Sequence, residues 1–248
     1  MNIPILIPVY NEQATIGQLV KECRRYSDSI YVVNDGSRDR SAQIAQDEGA
    51  IIITHSKNEG KGASLRDGFQ EILKEDFKAL ITMDGDGQHD PLEIPKFIQK
   101  FQETNADLIL GNRIDRKTMP FIRRITNRFM SRLISSMVGQ RIPDTQSGFR
   151  LIKTKILKNI NLETSNFEIE SELIMKASRM GCRIISIPIS TIYRRERSKI
   201  KPIIDTWRFL RLVINPVRNS DENLFQNLEG LSHLRVISNG RKDGISQG

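Results

Sequence analysis

The stretch Asp84-Gly85-Asp86-Gly87-Gln88-His89-Asp90-Pro91 follows directly after a short apolar run, residues 78–83. The run has polar neighbours on both sides and is typical of a buried β-strand. In open α/β sheets, ligands bind just beyond the carboxyl ends of the strands, which is where this stretch falls. Asp84, Asp86 and Gln88 offer oxygen ligands of the kind that Mg²⁺ and Mn²⁺ prefer. Asp-Gly pairs are also common turn formers, so the stretch predicts either a metal site or a solvated turn.

Strand-like and helix-like segments alternate on both sides of this stretch. Strands are predicted at residues 3–9, 30–34, 50–54, 79–83 and 107–111, and helices at 13–27, 39–48, 61–75 and 92–104. Alternation of this kind indicates an α/β fold with a mainly parallel central sheet flanked by helices. After residue 112 long basic segments replace the pattern, with a return to strand at 184–187 and a second candidate at 190–193.

Length and composition indicate a globular chain that works in the cytoplasm. The 248 residues leave room for a substantial core, and the hydrophobic content is 38%. No apolar run approaches the roughly 20 residues of a membrane-spanning helix, and the N-terminus lacks the charged region of a signal peptide. Cys23 and Cys182 are too far apart to suggest a zinc motif or a disulfide framework, which fits a reducing compartment.

The net charge of +8 is concentrated in two segments. Residues 116–141 carry seven basic residues and no acidic one, and residues 192–218 carry eight basic and two acidic residues. The rest of the chain is therefore net negative. Such segments predict contact with nucleic acid, an anionic membrane or phosphate-bearing substrates. Because no nucleic-acid-binding motif is found, we favour the last two.

Two further strand ends and one loop fall at the same predicted edge as residues 84–91. Tyr10 follows the first strand and could stack on a nucleobase, while Asp35 follows the second and could accept hydrogen bonds from the edge of the base. Helix capping by Asp35 or Ser37 is the alternative. Residues 58–63 place glycines and a lysine at the start of a helix, which suits a phosphate, although the spacing is not that of a Walker A loop.

Taken in order, these motifs resemble those of the inverting family-two glycosyltransferases, which have the GT-A fold. The matching motifs are Pro8-Val-Tyr-Asn-Glu12, Asn34-Asp-Gly-Ser37, Asn58-x-Gly-Lys-Gly62 and residues 84–91. Later motifs resemble the branch typified by dolichyl-phosphate mannose synthase, which transfers a sugar to a polyprenyl phosphate. They are Gly111-Asn-Arg113, Gln146-Ser-Gly-Phe-Arg150, Phe167-Glu-Ile-Glu-Ser-Glu172, Ile187-Pro188 and Arg194-x-x-x-Ser198-Lys199. The resemblance covers about residues 1–200.

The resemblance implies a role for each matching residue. Contacts to a UDP- or GDP-sugar donor would come from Pro8, Tyr10, Glu12, Asp35, Lys61, Asp84, Arg194 and Lys199. Mg²⁺ or Mn²⁺ would be held by Asp84, Asp86 and Gln88, and the acceptor phosphate by Arg113, Arg128 and Ser131. Asp86 and Arg113 would be the catalytic residues. The family usually has an aspartate where this chain has Asn34, but Asp35 is retained, so we expect base recognition to survive.

The acceptor decides whether the reaction needs a general base. A lipid phosphate is already ionised at neutral pH, so direct displacement with inversion at the anomeric carbon needs none. A hydroxyl acceptor on a glycan or a protein would need one, and Asp144 is then the first candidate. Otherwise we expect Asp144 to be a turn residue beside Pro143.

The two basic segments also predict amphipathic helices. In the first, residues Phe121, Ile122, Ile125, Phe129, Leu133 and Met137 form an apolar stripe beside Arg124, Arg128 and Arg132. In the second, the stripe is Ile203, Trp207, Leu210 and Ile214, beside Arg208 and Arg211. Apolar faces with basic flanks suit a membrane interface, and packing of one helix on the other is the alternative.

The sequence thus predicts a catalytic domain over residues 1–200, an interface helix over 201–218 and a mobile polar tail over 219–248. We expect a metal-dependent glycosyltransferase bound peripherally to the cytoplasmic face of a membrane, and an integral membrane partner is a further candidate. A sugar-nucleotidyltransferase would carry a glycine- and arginine-rich loop where this chain has residues 8–12. A non-catalytic membrane-tethered scaffold would not need Asp84, Asp86 and Arg113.

Overall fold

A seven-stranded sheet forms the centre of the computed structural model, which describes residues 2–113 and 121–192. The strands are β1 (Ile5–Val9), β2 (Ile30–Asn34), β3 (Ile51–Thr54), β4 (Ala79–Thr82), β5 (Leu108–Arg113), β6 (Arg150–Lys153) and β7 (Ile184–Ile189). Their spatial order is β3-β2-β1-β4-β6-β5-β7. All neighbours pair in parallel except β6, which runs antiparallel between β4 and β5. The predicted mainly parallel sheet is confirmed.

Helices cover both faces of this sheet. They are α1 (Ile16–Cys23), α2 (Ser41–Asp47), α3 (Lys61–Ile72), α4 (Ile94–Thr104), α5 (Phe121–Val138), α6 (Thr154–Asn159) and α7 (Ile169–Arg179), with a 3₁₀ turn at Pro91–Glu93. Side chains alternate along β1, so that Ile5 and Ile7 enter the core beneath α1 and α4 whereas Leu6 enters the core beneath α3 and α7. The period of two in the strand sequence therefore divides the core into two layers.

The region after residue 113 departs most from the sequence-based prediction. β6, α6 and α7 were not predicted, and residues 190–192 form only an isolated bridge between His89 and Thr191 instead of a strand. β6 is four residues long and begins and ends with a basic residue, so it lacks the apolar run by which the other strands were recognised. α7 buries Glu170, Glu172 and Lys176, which hides its core-facing side from a hydrophobicity pattern.

Asp107 ties together the ends of three strands at the edge opposite the predicted site. It precedes β5, and its carboxylate accepts hydrogen bonds from Lys153 Nζ at 3.0 Å and from the backbone N–H of Arg183 at 2.9 Å. Lys155 forms an ion pair with it at 2.8 Å. Burial by itself would raise the pKa of Asp107, but these partners lower it to about 2. The carboxylate is therefore a structural latch for β5, β6 and β7.

Helix α5 leaves exposed much of the apolar stripe for which a membrane interface was predicted. Its buried face consists of Asn127, Met130, Ser131 and Ile134. In the predicted stripe, Ile125 is 53% exposed, Phe129 50% and Met137 45%, and Leu133 is half-buried. Arg128 and Arg132 are exposed on the same helix. The helix therefore packs on the core through a partly polar face and leaves apolar and basic side chains outside.

No helix in the described ranges is long and apolar enough to cross a bilayer.

The topology gathers the predicted motifs at one edge of the sheet. β1, β2, β4 and β5 all point the same way, so the residues that follow their carboxyl ends are neighbours. The predicted site residues Arg194 and Lys199 lie outside the described residues, as do the predicted helix over 201–218 and the predicted tail over 219–248.

Candidate active site

Residues 84–91 form a loop that is buried or half-buried throughout and is hydrogen-bonded to the rest of the fold. The alternative prediction, a turn exposed to solvent, is wrong. Thr15 Oγ1 donates a 2.7 Å hydrogen bond to the carbonyl of Gly85, and Asp86 Oδ1 accepts one of 3.0 Å from the N–H of Gln88. His89 is 2% exposed and stacks on Phe149, with ring centroids 5.2 Å apart. These contacts hold Asp84 and Asp86 half-buried at the end of β4.

His89 supports this loop as a neutral imidazole. Its Nδ1 accepts the backbone N–H of Asp84 at 3.1 Å, so the neutral ring carries its proton on Nε2, which lies 3.7 Å from Asp84 Oδ2. Burial lowers the pKa of His89, although the nearby carboxylates of Asp84 and Asp86 oppose the shift. The ring therefore orients the Asp84 backbone and adds no charge.

Lys61 lies between two carboxylates, one of which is Asp84. Its Nζ is 2.5 Å from Asp84 Oδ1 and 2.5 Å from Glu170 Oε1. Burial would lower the pKa of Lys61, but Asp84 and Glu170 outweigh it and raise the pKa above its ordinary value. Burial would likewise raise the pKa of Asp84, and Lys61 in particular reverses this shift. Both groups are charged at neutral pH.

Gly148 lets β6 approach this cluster closely. A Cβ atom at position 148 would lie 2.4 Å from Asp84 Oδ1, so only glycine leaves room for the carboxylate. Pro8, Lys61, Asp84 and Glu170 line one cleft together with this glycine. The structure thus brings three of the predicted donor residues, Pro8, Lys61 and Asp84, into one cleft.

The carboxylates of this loop fit a divalent ion that is shared with a substrate. Asp84 and Asp86 supply hard oxygen ligands, and Mg²⁺ is usually held by one or two carboxylates together with substrate phosphates. Within residues 2–113 and 121–192, no group of three or more His, Cys, Asp or Glu side chains is placed to hold a metal by itself. The two carboxylates of Asp84 and Asp86 suit an ion whose other ligands are phosphate oxygens. Metal binding by Gln88 stays a prediction, because the observed contact of Gln88 with Asp86 is through its backbone.

Asp35 fastens the 58–62 loop to the end of β2. Its carboxylate accepts the backbone N–H groups of Glu59 at 2.7 Å and of Gly60 at 2.9 Å. His55 Nδ1 lies 2.8 Å from the same carboxylate, and His55 Nε2 lies 3.0 Å from Asp67 Oδ2. Asp35 does not cap a helix, so that alternative is wrong. It is 3% exposed, and its contact with a nucleobase stays a prediction.

The loops after β1 and β2 are bound to each other. The N–H of Asn11 donates to Ser37 Oγ at 3.0 Å, and the N–H of Glu12 donates to Ser41 Oγ at 2.7 Å. Ser37 therefore supports the neighbouring loop and is not a helix cap. Tyr10 and Glu12 are half-buried at this junction. Their contact with a nucleotide stays a prediction.

Arg113, the predicted acceptor-phosphate residue, is buried against Asp144. Its Nε lies 2.7 Å from Asp144 Oδ2 and its Nη2 lies 3.0 Å from Asp144 Oδ1. Asn127 Nδ2 adds a contact to Asp144 Oδ1 at 3.3 Å. Asp144 also accepts the N–H of Gln146 at 3.2 Å, as a turn residue does, but its main partner is Arg113. Because both of its oxygens are engaged and its side chain is 0% exposed, Asp144 is a counter-ion and is not placed to act as a base.

The other two predicted acceptor residues lie on α5. Ser131 is buried, and its Oγ is 3.3 Å from Thr145 Oγ1. Arg113 and Ser131 therefore meet consecutive residues of one loop. Arg128 is exposed on the same helix, and its contact with a phosphate stays a prediction.

Three residues of the site were missed from the sequence: His55, Glu170 and Arg150. Arg150 is 2% exposed and donates to the carbonyls of Thr145 at 2.8 Å, Ser147 at 2.8 Å and Glu170 at 2.7 Å. It thereby joins the 144–148 loop to α7. Arg150 and Glu170 lie inside motifs that were quoted for the resemblance, but no local pattern assigns them a partner.

Comparison with known proteins agrees with this geometry. Residues 5–160 match the family described as glycosyl transferase family 2. The UDP-N-acetylglucosamine–dolichyl-phosphate N-acetylglucosaminyltransferase of Methanococcus voltae is 28% identical, over 77% of this chain and 86% of the relative. The undecaprenyl-phosphate mannosyltransferase of Micrococcus luteus is 26% identical, over 78% of this chain and 85% of the relative.

A solved structure shows the same fold. Glucosyl-3-phosphoglycerate synthase from Mycobacterium tuberculosis, in complex with Mn²⁺, UDP and glucosyl-3-phosphoglycerate, superposes with a TM-score of 0.72 at 16% identity. The match covers 88% of this chain and 81% of that protein, and it confirms the GT-A-like fold that the resemblance implied. The motifs, the fold and the family match lead to one conclusion: this chain is a glycosyltransferase and belongs to glycosyl transferase family 2.

Proposed function

We propose that the chain transfers a sugar, with inversion, from a nucleoside diphosphate sugar to a polyprenyl phosphate at a membrane surface, in a metal-dependent reaction. The observation that carries the proposal is the pairing of Arg113 with Asp144. Arg113 is a buried cation at the edge of the site, and it occupies Asp144, the carboxylate that a hydroxyl acceptor would need as a base. An anionic acceptor needs the cation Arg113 and does not need a base.

The donor half of the site would hold the diphosphate. Asp84 and Asp86 would bind the divalent ion, which when present neutralises the charge that develops on the leaving diphosphate. Lys61 would add a second positive charge from the start of α3. Asp35 is fixed by His55 and by two backbone N–H groups, so it would meet the nucleobase in a set orientation.

The acceptor half would hold the lipid phosphate for direct displacement. Arg113 would orient the phosphate, and the phosphate oxygen would attack the anomeric carbon opposite the leaving diphosphate, which inverts the configuration. Two relatives that are named for dolichyl phosphate and undecaprenyl phosphate support this choice of acceptor.

Helix α5 supports the proposal that the protein docks on a membrane. Ile125, Phe129 and Met137 are about half exposed, and Arg128 and Arg132 lie exposed among them. Apolar side chains flanked by arginines bind the interface of anionic bilayers. The same helix carries Ser131 on its buried side, next to the loop of Asp144. Docking through α5 would thus bring a lipid phosphate towards Arg113.

A donor screen tests the proposed function. The protein is incubated with Mg²⁺, polyprenyl phosphate in detergent and radiolabelled UDP- or GDP-sugars, and the label that partitions into the organic phase is counted. We expect at least one donor to yield labelled lipid, and EDTA to prevent it. Label that appears in a glycan or a protein, with none in lipid for any donor, would contradict the proposal.

A further inference from the structure

We propose that Lys61 is a resident cation that is shared by Asp84 and Glu170 and that holds the metal-binding carboxylate until a diphosphate arrives. Glu170 is the positioning residue in this arrangement, because it keeps Lys61 beside the diphosphate after the lysine leaves Asp84. The inference rests on the proposed role of Asp84 as a metal ligand. The geometry points to it because Nζ lies 2.5 Å from an oxygen of each carboxylate.

The burial of Glu170 is not explained by contacts within helix α7. It is 4% exposed in the first turn of α7. Apart from the ion pair with Lys61, neither of its carboxylate oxygens has a hydrogen-bond partner in the part of the chain that the structure describes. Its backbone carbonyl is held by Arg150 Nη1 at 2.7 Å. A buried carboxylate is costly unless it is paired, so Lys61 is the partner that makes this position tolerable.

The backbone around Lys61 is fixed, so any movement belongs to the side chain. The N–H of Gly62 donates to the carbonyl of Ser165 at 2.9 Å, and a Cβ atom at Gly62 would lie 2.4 Å from the carbonyl oxygen of Thr164. The ammonium also lies 5.6 Å from the ring centroid of Phe167. Four methylene groups connect this rigid turn to Nζ, which gives the charged end enough reach to exchange one oxygen partner for another.

The arrangement couples the metal to the diphosphate. A divalent ion at Asp84 competes with the ammonium for the same oxygen and is repelled by its charge. A diphosphate offers the ammonium new oxygens, so it removes the competitor and adds ligands for the ion. By linkage, the metal must raise the affinity of the diphosphate by the same factor by which the diphosphate raises that of the metal. Lys61 therefore favours binding of the metal and the donor together.

Titration with Mn²⁺ alone, followed by the paramagnetic resonance of the unbound ion, tests the inference without turnover. Without nucleotide, Lys61→Met should bind Mn²⁺ about tenfold more tightly than the wild type, because the competing cation is gone. Glu170→Gln should bind it more weakly, because Lys61 then pairs with Asp84 alone. Lys100→Met removes a lysine that pairs with Glu103 on the surface of α4, and it should match the wild type.

A double variant separates positioning from a general effect of charge. If Glu170 acts through Lys61, Glu170→Gln should change the Mn²⁺ affinity little in the Lys61→Met background. An equal weakening in both backgrounds would overturn the role of Glu170. Equal Mn²⁺ affinity of Lys61→Met and the wild type would overturn the inference as a whole. Circular dichroism checks the fold, and if Lys61→Met does not fold, unchanged or tighter Mn²⁺ binding by Glu170→Gln overturns the inference.

Titration with Mn²⁺ in the presence of UDP separates the role of Lys61 from the proposed binding of a nucleotide donor. We expect UDP to raise the Mn²⁺ affinity of the wild type by a larger factor than that of Lys61→Met. If UDP and GDP change no affinity while Lys61→Met still binds Mn²⁺ more tightly, the donor proposal and the coupling to a diphosphate fail, and only the competition between Lys61 and the metal stands.

Discussion

Arg113 and Asp144 form a buried two-point ion pair across 31 residues of sequence, with Nε–Oδ2 and Nη2–Oδ1 distances of 2.7 and 3.0 Å. Their side chains are 6% and 0% exposed. Because both charges are buried, the ion pair stabilises each of them. The pair therefore fixes the position of the arginine that we assign to the acceptor phosphate.

Removal of one partner should destabilise the protein strongly. We expect Asp144→Asn and Arg113→Gln each to lower the free energy of unfolding by about 3 kcal/mol, because each breaks a buried ion pair. The double variant should lose less than the sum of the two, with a coupling of about 1.5 kcal/mol or more. Urea denaturation measures all three, and the exposed Asp76→Asn serves as control. Strictly additive losses would show that the pair is energetically unimportant.

Asp86 should be needed for transfer and dispensable for folding. It is half-buried in the 84–91 loop and accepts one local hydrogen bond, from the N–H of Gln88. Asp86→Ala should therefore keep the thermal transition within a few degrees and abolish sugar transfer, while Asp76→Ala keeps both. EDTA should silence the wild type and Mg²⁺ or Mn²⁺ should restore it. Full activity of metal-free protein would contradict the metal-dependent reaction.

Local patterns in the sequence predicted the fold class and which loops meet at one edge of the sheet. Short apolar runs located β1 to β5, and the parallel order placed the residues after them at one edge. β6 was not predicted, because its first residue is the buried arginine Arg150 and a hydrophobicity pattern does not mark an arginine as buried. The pairs Arg113–Asp144 and Lys61–Glu170 were not predicted for a different reason. Their members come from distant segments and meet only once the sheet has formed.

The outer face of α5 should bind anionic membranes. The triple variant Phe129→Ser, Arg128→Glu, Arg132→Glu should lower binding to phosphatidylglycerol liposomes at least about tenfold, since each basic residue contributes roughly 1 kcal/mol near such a surface. The control Leu92→Ser, Lys96→Glu, Lys100→Glu makes the same change of charge around Leu92, which is 65% exposed near α4. Cosedimentation at low salt measures both. Equal losses in the two variants would indicate attraction by net charge alone and not docking through α5.

The contacts of the Asp107 carboxylate should make the free energy of unfolding depend on pH between about 4 and 2. The pKa of its carboxyl is lowered to about 2 in the folded protein, against about 3.9 in an unfolded chain. A lowered folded-state pKa adds stability above the unfolded value, and this contribution is lost as the pH falls from about 4 towards 2. Asp107→Asn should therefore cost about 1 kcal/mol at pH 7, and the cost should disappear as the pH falls through about 2. Urea titrations at several pH values measure this, with the exposed Asp47→Asn as control. A pH-independent difference would contradict the assignment.

The choice between a phosphate and a hydroxyl acceptor tests the central claim most directly. Purified protein is given its preferred donor, Mg²⁺ and either a polyprenyl phosphate or the polyprenol of the same chain length, and initial rates are compared. We predict that only the phosphate is glycosylated, because its oxygen is already ionised and needs no general base. Transfer to the polyprenol at a comparable rate would contradict the account.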